Sequence, residues 1–267
     1  MLKINSLLAV LLIPVIAGCA GMPPAPTPEA KAELAPTGTL RIAVFTGNPV
    51  IGSKKSGEVV GTTVILGRQL AERIGVPAQV IEYTAVAKMV EDAKAGTWDI
   101  SVVAFDPARK NVLDFAPPHM VVDLTYLVGP GSTIRSVADA DQPGVRIAAA
   151  RGAATALLLQ RTLKQATLTP AENEPAVFAL VKEGKAQAMA QNRYMLLGLA
   201  DTLPGSRVLE DRFAAAEMTI VLPKGRATAL AYVGEFVEGA KKAGDVGRVI
   251  DSVGLRGVSV APPQEIK

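Results

Sequence analysis

Between residues 39 and 105, short strand-like runs alternate with helical runs, and this alternation restricts the possible folds more than any other feature. Leu40-Arg41-Ile42-Ala43-Val44-Phe45 reads as a strand that empties into the loop Thr46-Gly47-Asn48-Pro49. Residues 64–74 place Ile65, Leu66, Leu70 and Ile74 on one helical face, and Gly75-Val76-Pro77 stops that helix. Residues 79–83 form a second strand and 86–95 a second helix, closed by Gly96 as a C-terminal cap. Residues 100–105 supply a third strand. Strand, helix, strand, helix, strand is the α/β signature of a parallel sheet.

The pattern returns after Tyr126. Residues 125–128, 145–149, 186–190 and 219–222 read as strands, and residues 156–165, 176–183, 194–200 and 228–243 as helices. Extended crossings near Tyr126 and near Ile220 join the two units, which predicts two lobes with a cleft between them. A chain of 267 residues with 49% apolar content can build both cores, and 4% aromatic content makes them aliphatic. The 28 basic and 25 acidic residues are spread without a dense basic run, so no nucleic-acid partner is expected. One cysteine and one histidine leave almost no room for a zinc site or a Cys/His catalytic pair, and no cofactor is expected.

The first residues assign the compartment. Lys3 gives a positive start, residues 7–15 are apolar, and Ile16-Ala17-Gly18-Cys19 follows. The apolar run is too short for a stable membrane span. Ile-Ala-Gly-Cys resembles the lipobox of bacterial lipoproteins, which implies cleavage before Cys19 and a lipid on that residue. An ordinary secretory signal with an incidental cysteine is the alternative. Residues 1–18 are therefore expected to be a signal peptide, and residues 19–38 an extended, solvated tether carrying Pro23, Pro24, Pro26, Pro28 and Pro36. The folded part would face the periplasm. Ala20 after the cysteine favours, by the same resemblance, the outer membrane.

Residues 98–119, WDISVVAFDPARKNVLDFAPPH, run from a strand through the turn Asp106-Pro107-Ala108 to Arg109. A cation at the end of a rigid element is where a site for a small anion is most easily built. The order of motifs resembles the solute-binding proteins of polar-amino-acid ABC transporters, the family 3 extracellular binding proteins. Residues 39–44 look like the family's T-L-R-V-G-V strand, and Gly96 to Ile100 like its G-K-Y-D-hydrophobic motif. Asp106-Pro107-Ala108-Arg109 through Val112-Leu113-Asp114-Phe115-Ala116-Pro117 looks like T-P-E-R…V-D-F-S-x-P, and Gly184-Lys185-Ala186-Gln187-Ala188 like G-R-V-D-A. The resemblance covers residues 39 to about 254.

It implies a type II periplasmic-binding-protein fold, two Rossmann-like lobes joined by two hinge strands that close over a ligand. Lobe one would hold residues 39–125 and 222–267, and lobe two residues 126–221. Arg109 takes the position that grips the ligand carboxylate as a bidentate fork, a geometry that suits a guanidinium; a surface arginine paired with Asp106 or Asp114 is the alternative. The family's small hydroxyl residues seven and five positions earlier are here Val102 and Ala104, although Ser101 remains. At the lobe-two turn the family's G-T or G-S is Gly152-Ala153, with Thr155 further on. The carboxylate that would meet a ligand ammonium falls near Asn192, an amide.

Other residues near strand ends are also candidates. Phe45, Thr46, Tyr83 and Phe105 could contact the ligand or belong to the core. Arg151 could add a second anion grip or be a surface charge. Asp106 and Glu217 could replace the missing carboxylate, although Asp106 can cap its own turn. His119 reads as a rim or hinge residue. The expected function is capture of a small organic acid, an amino acid or a derivative by a monomeric protein. An ABC permease and, through Cys19, a membrane would be its partners. A cyclohexadienyl dehydratase-like enzyme, with Asp106, Glu217 or His119 as acid or base, and a sensor acting through a separate receptor are the rivals.

Overall fold

The structure, a computed structural model, describes residues 25–151 and 153–264. The signal peptide, Cys19 and Gly152 lie outside the described residues. Lobe one opens with α1 (Pro28–Leu34), β1 (Leu40–Phe45), the hairpin β2 (Ser53–Lys55) and β3 (Glu58–Val60), and α2 (Thr62–Ile74). It continues with β4 (Ala78–Tyr83), α3 (Val86–Asp92) and β5 (Ile100–Ala104). A 3-10 turn, Pro107–Arg109, leads into β6 (Leu113–Val128), the strand that leaves this lobe. Lobe two holds α4 (Val137–Ala140), β7 (Arg146–Ala150), α5 (Ala154–Thr162), β8 (Thr167–Ala171), α6 (Glu174–Lys182), β9 (Ala188–Asn192), α7 (Arg193–Ala200) and β10 (Arg207–Val208). The chain returns along β11 (Ala214–Pro223) and ends with α8 (Ala227–Lys242), α9 (Asp245–Val253) and β12 (Val258–Val260).

One sheet runs through both lobes in the order β4-β1-β5-β11-β6-β9-β7-β8, with β10 and β12 also paired to β6. β1 is parallel to β4 and β5, and β7 is parallel to β8 and β9, as the strand–helix alternation requires. The connecting strands β6 and β11 are antiparallel to each other. β6 pairs with β11 up to Leu124 and with β9 from Leu124 to Val128, so the sheet passes from one lobe to the other at that residue. The second crossing lies earlier than expected. Met218 to Val221 pair with β5, which places Ile220 opposite Val102 inside lobe one, and the crossing is made by the preceding alanines of β11. An apolar central strand carries no mark of where it changes lobe, because both its faces are covered.

Helices cover both faces of each half-sheet. Leu40, Ile42 and Val44 pack with Leu70, Ile74, Val233 and Phe236, while Ala43, Met89, Trp98 and Val103 form a smaller cluster on the opposite face. Gly67 allows α2 to lie directly on β1, since a Cβ there would come within 2.6 Å of Ile42. Asp99, fully buried, locks the start of β5. Its Oδ2 accepts from the Arg41 backbone N–H at 3.0 Å and from Nε at 2.9 Å. Its Oδ1 accepts from Arg41 Nη2 at 2.8 Å and Arg226 Nη1 at 3.0 Å.

The solvated tether expected through residue 38 gives way to packed structure in its second half. Thr27 Oγ1 accepts from the Ala30 N–H at 3.1 Å and caps α1, with Pro28 at a first-turn position that needs no donor. Ala30 and Leu34 are buried in the lobe-one core. Lys31 Nζ donates to the Gly75 carbonyl at 3.2 Å at the end of α2, and Glu33 Oε2 accepts from the Ala229 N–H at 2.8 Å at the start of α8. Each charge complements the helix end it meets. Proline-rich composition hid a seven-residue helix whose apolar positions have a core to join.

Candidate functional site

A cavity of about 250 Å³ lies between the lobes, walled by the ends of the parallel strands and floored by the two crossings. In open α/β sheets the crevice beyond the carboxyl ends of strands is the usual place for a ligand. Lobe one contributes Phe45 at the end of β1, Asn48 and Ile51 in the loop after it, Val86 at the start of α3, Val103 and Ala104 at the end of β5, and Arg109 in the 3-10 turn beyond. The crossings contribute Val122 and Leu124 from β6 and Ala216 and Met218 from β11. Lobe two contributes Ala153 and Thr155 at the start of α5, and Gln191 and Asn192 at the end of β9.

Arg109 is the charged residue of this lining. Asp106 caps the turn beneath it, its Oδ1 accepting from the Ala108 N–H at 2.9 Å, which leaves Arg109 free of the nearest carboxylate. Arg109 Nη1 donates to the Ala104 carbonyl at 3.1 Å, so the half-buried guanidinium is held at the cavity wall by its own strand. Among the described residues it makes no ion pair. On the opposite wall Asn192 is buried and caps α7, its Oδ1 accepting from the Met195 N–H at 2.9 Å. Gln191 Nε2 donates to Glu174 Oε1 at 2.6 Å, and its Oε1 accepts from the Asn192 N–H at 2.8 Å. Burial raises the Glu174 carboxyl above its ordinary range, with the Gln191 bond opposing the shift. Its Oε2 is buried without a partner among the described residues.

The cavity thus brings together Phe45, Arg109, Ala153, Thr155 and Asn192 of the expected residues, along with Ala104. Six others sit elsewhere. Thr46 Oγ1 lies 3.4 Å from the Tyr83 carbonyl and 3.4 Å from Glu82. Tyr83 donates to Asp92 at 3.1 Å, and burial raises its pKa. Ser101 is buried on the far side of the sheet and donates to the Ala43 carbonyl at 2.8 Å. Phe105 is exposed behind the hinge, edge-on to Phe115. Asp106 is spent on its turn, and Arg151 is exposed with its backbone N–H tied to Ala171.

Strand alternation and burial set the positions of three further residues. Glu217 stands between Ala216 and Met218, which both line the cavity, and therefore turns to grooves on the opposite surface. Val102 enters the lobe-one core, and His119 is no rim residue but fully buried in β6. Sequence reasoning missed Asn48 and Gln191. Both were visible as polar residues at strand ends, Asn48 in the loop after β1 and Gln191 directly before Asn192. The missed apolar lining residues, such as Ile51 and Met218, carry no signal that separates them from the core.

The sequence model of the bacterial extracellular solute-binding proteins, family 3, matches residues 40–252. The chain belongs to that family. A glutamine-binding protein of Geobacillus stearothermophilus is 24% identical over 228 residues, covering 78% of this chain and 87% of its own. An ancestral amino acid-binding protein, a precursor of cyclohexadienyl dehydratase, superposes with a TM-score of 0.68 at 24% identity, over 83% of this chain and 97% of its own. A putative binding component of an ABC transporter from Wolinella succinogenes, solved with lysine, gives 0.70 at 22% identity, over 81% of this chain and 95% of its own. The family 3 chain thus has the two-lobed type II fold of periplasmic binding proteins.

Proposed function

We propose that this family 3 protein is a periplasmic lipoprotein, anchored through Cys19, that captures a small carboxylate-bearing solute for an ABC importer. The observation that carries the reading is Arg109, half-buried at the wall of an otherwise apolar and neutral interlobe cavity with no carboxylate paired to it among the described residues. A guanidinium held this way by the Ala104 carbonyl presents its remaining donors to a guest, and enclosure strengthens the pairing. The two crossing strands provide the hinge about which the lobes close and reopen. The permease would receive the closed form.

The rival dehydratase needs an acid or base facing the substrate. Asp106, Glu217 and His119 all lie off the cavity lining, and Arg109 is the titratable residue on it among the described residues. Capture and release is the chemistry that this lining supports.

A thermal-shift screen over amino acids, dicarboxylates and aromatic acids tests the reading, because a solute that binds only the native state raises the unfolding midpoint. With a bound solute identified, Arg109→Ala is expected to cost about 1.5–3 kcal/mol, roughly ten- to a hundredfold in affinity. An unchanged dissociation constant would remove Arg109 from the site.

A further inference from the structure

Each amide side chain that lines the cavity has its oxygen turned into the protein. Asn48 Oδ1 accepts from the Val50 N–H at 3.1 Å, Gln191 Oε1 from the Asn192 N–H at 2.8 Å, and Asn192 Oδ1 from the Met195 N–H at 2.9 Å. A backbone N–H can only donate, so each of these bonds fixes which end of the amide is oxygen. Gln191 is fixed a second time, because its Nε2 donates to a carboxylate oxygen of Glu174 at 2.6 Å. Asn192 Nδ2 also donates to Gln191 Oε1 at 3.3 Å, so that oxygen accepts twice, and Gln191 and Asn192 each keep one N–H for a guest.

The rest of the polar lining has the same bias. Arg109 has donors only. The Thr155 hydroxyl can act either way, and α5, which begins beside it, has no side-chain cap on its first-turn N–H groups. No carboxylate lines the cavity among the described residues.

We propose that the cavity is an acceptor site at both ends. Its solute presents a carboxylate to Arg109 and a second oxygen acceptor, carboxylate or carbonyl, to Asn192 and Gln191, and it carries no ammonium. This rests on the solute-binding reading above and names the solute class. An ammonium has three donors and no lone pair, so among the described lining side chains the Thr155 hydroxyl is the one acceptor without a bond already made, and the other polar groups would face it with N–H. Its charge would also enter a space whose lining holds no counter-charge among the described residues, the Glu174 carboxylate lying behind Gln191 and accepting from it. Dicarboxylates, 2-oxo acids and amides of dicarboxylic acids satisfy both ends.

Isothermal titration of the purified protein with matched solutes that differ at the amine tests this. L-glutamate is compared with glutarate and 2-oxoglutarate, and L-glutamine with glutaramate. The amine-free member is expected to bind at least tenfold tighter. Asn192→Asp is expected to reverse that order, while keeping the α7 cap, since aspartate caps as well as asparagine. Equal or tighter binding of the amino acids, or an order unmoved by Asn192→Asp, overturns the proposal. Arg109→Ala separates the two readings. If it weakens every solute while the amino acids bind tighter, capture stands and the acceptor class fails. If it changes nothing, the carboxylate grip itself fails. Binding of no solute in either series overturns both.

Discussion

The two lobes are built from the same strand–helix unit and use their polar residues in opposite ways. In lobe one most polar side chains of the half-sheet are consumed by the fold. Asp99 ties β1, β5 and the start of α8 together, Ser101 bonds Ala43, and Tyr83 bonds Asp92, leaving Arg109 and Asn48 to face the cavity. In lobe two, Gln191, Asn192 and Thr155 reach the cavity as neutral groups, the first two held by bonds to their own backbone. Apart from Arg109, charge in the first lobe holds structure, and neutral donors in the second are available for selection. The difference predicts that polar substitutions in lobe one, outside Arg109 and Asn48, act mainly on stability and those at the lobe-two lining mainly on affinity.

The largest effect should come from Asp99→Ala. Removing this fully buried carboxylate strands Arg41 and Arg226, each only 17% exposed, without their shared partner. Breaking a buried ion pair by deleting one side costs on the order of 3–5 kcal/mol. Urea unfolding should show that loss, while the dissociation constant measured on the folded fraction stays unchanged. A variant of full stability would break the comparison at its strongest point.

His119 should give the next largest effect, as a pH dependence. Burial, with help from the charge on Lys241, pushes its pKa down from 6.5 to about 3, and neither ring nitrogen has a partner among the described residues. The native state therefore resists protonation that the unfolded chain accepts. The contribution is fully present above pH 6.5 and is lost as pH falls toward 3, on the order of 1–3 kcal/mol by pH 4. His119→Leu should lack this part of the acid slope in unfolding measurements between pH 6.5 and 4. With one histidine in the chain, lobe two has no counterpart, so hydrogen exchange at pH 4 should rise first in lobe one. Equal slopes for the two proteins would clear His119.

The fold was largely legible from periodicity, because burying two faces of each half-sheet demands the apolar runs that mark its strands. The site was legible only where residue type and turn coincide. Arg109 follows a strand and a capped turn, which is readable in Asp106-Pro107-Ala108-Arg109. Glu217 and Phe105 show what was not. Each is a neighbour in sequence of a residue that lines the cavity, and each points away from it, since one position along a strand changes the face. The helix α1 was hidden for a different reason, its proline content being typical of a linker while Leu34 and Ala30 pack against the core.

The smallest effects give the finest test, because two hydroxyls of similar size sit on the two sides of the comparison. Ser101 is buried in lobe one, its Oγ donating to the Ala43 carbonyl at 2.8 Å, away from the cavity. Thr155 is buried in lobe two and lines the cavity. Ser101→Ala removes a satisfied hydrogen bond and leaves the carbonyl unpaired by that donor, so unfolding free energy should fall by about 1 kcal/mol with affinity unchanged. Thr155→Val keeps the volume and deletes only the hydroxyl, so affinity should fall by about 0.5–1.5 kcal/mol, a few-fold to about tenfold, with little change in stability. If Ser101→Ala weakens binding, the hydroxyl of the first lobe serves the solute after all. If Thr155→Val lowers stability and spares affinity, the lobe-two wall is structural. Either result would erase the division of labour between the lobes, which makes this pair more discriminating than the larger losses at Asp99.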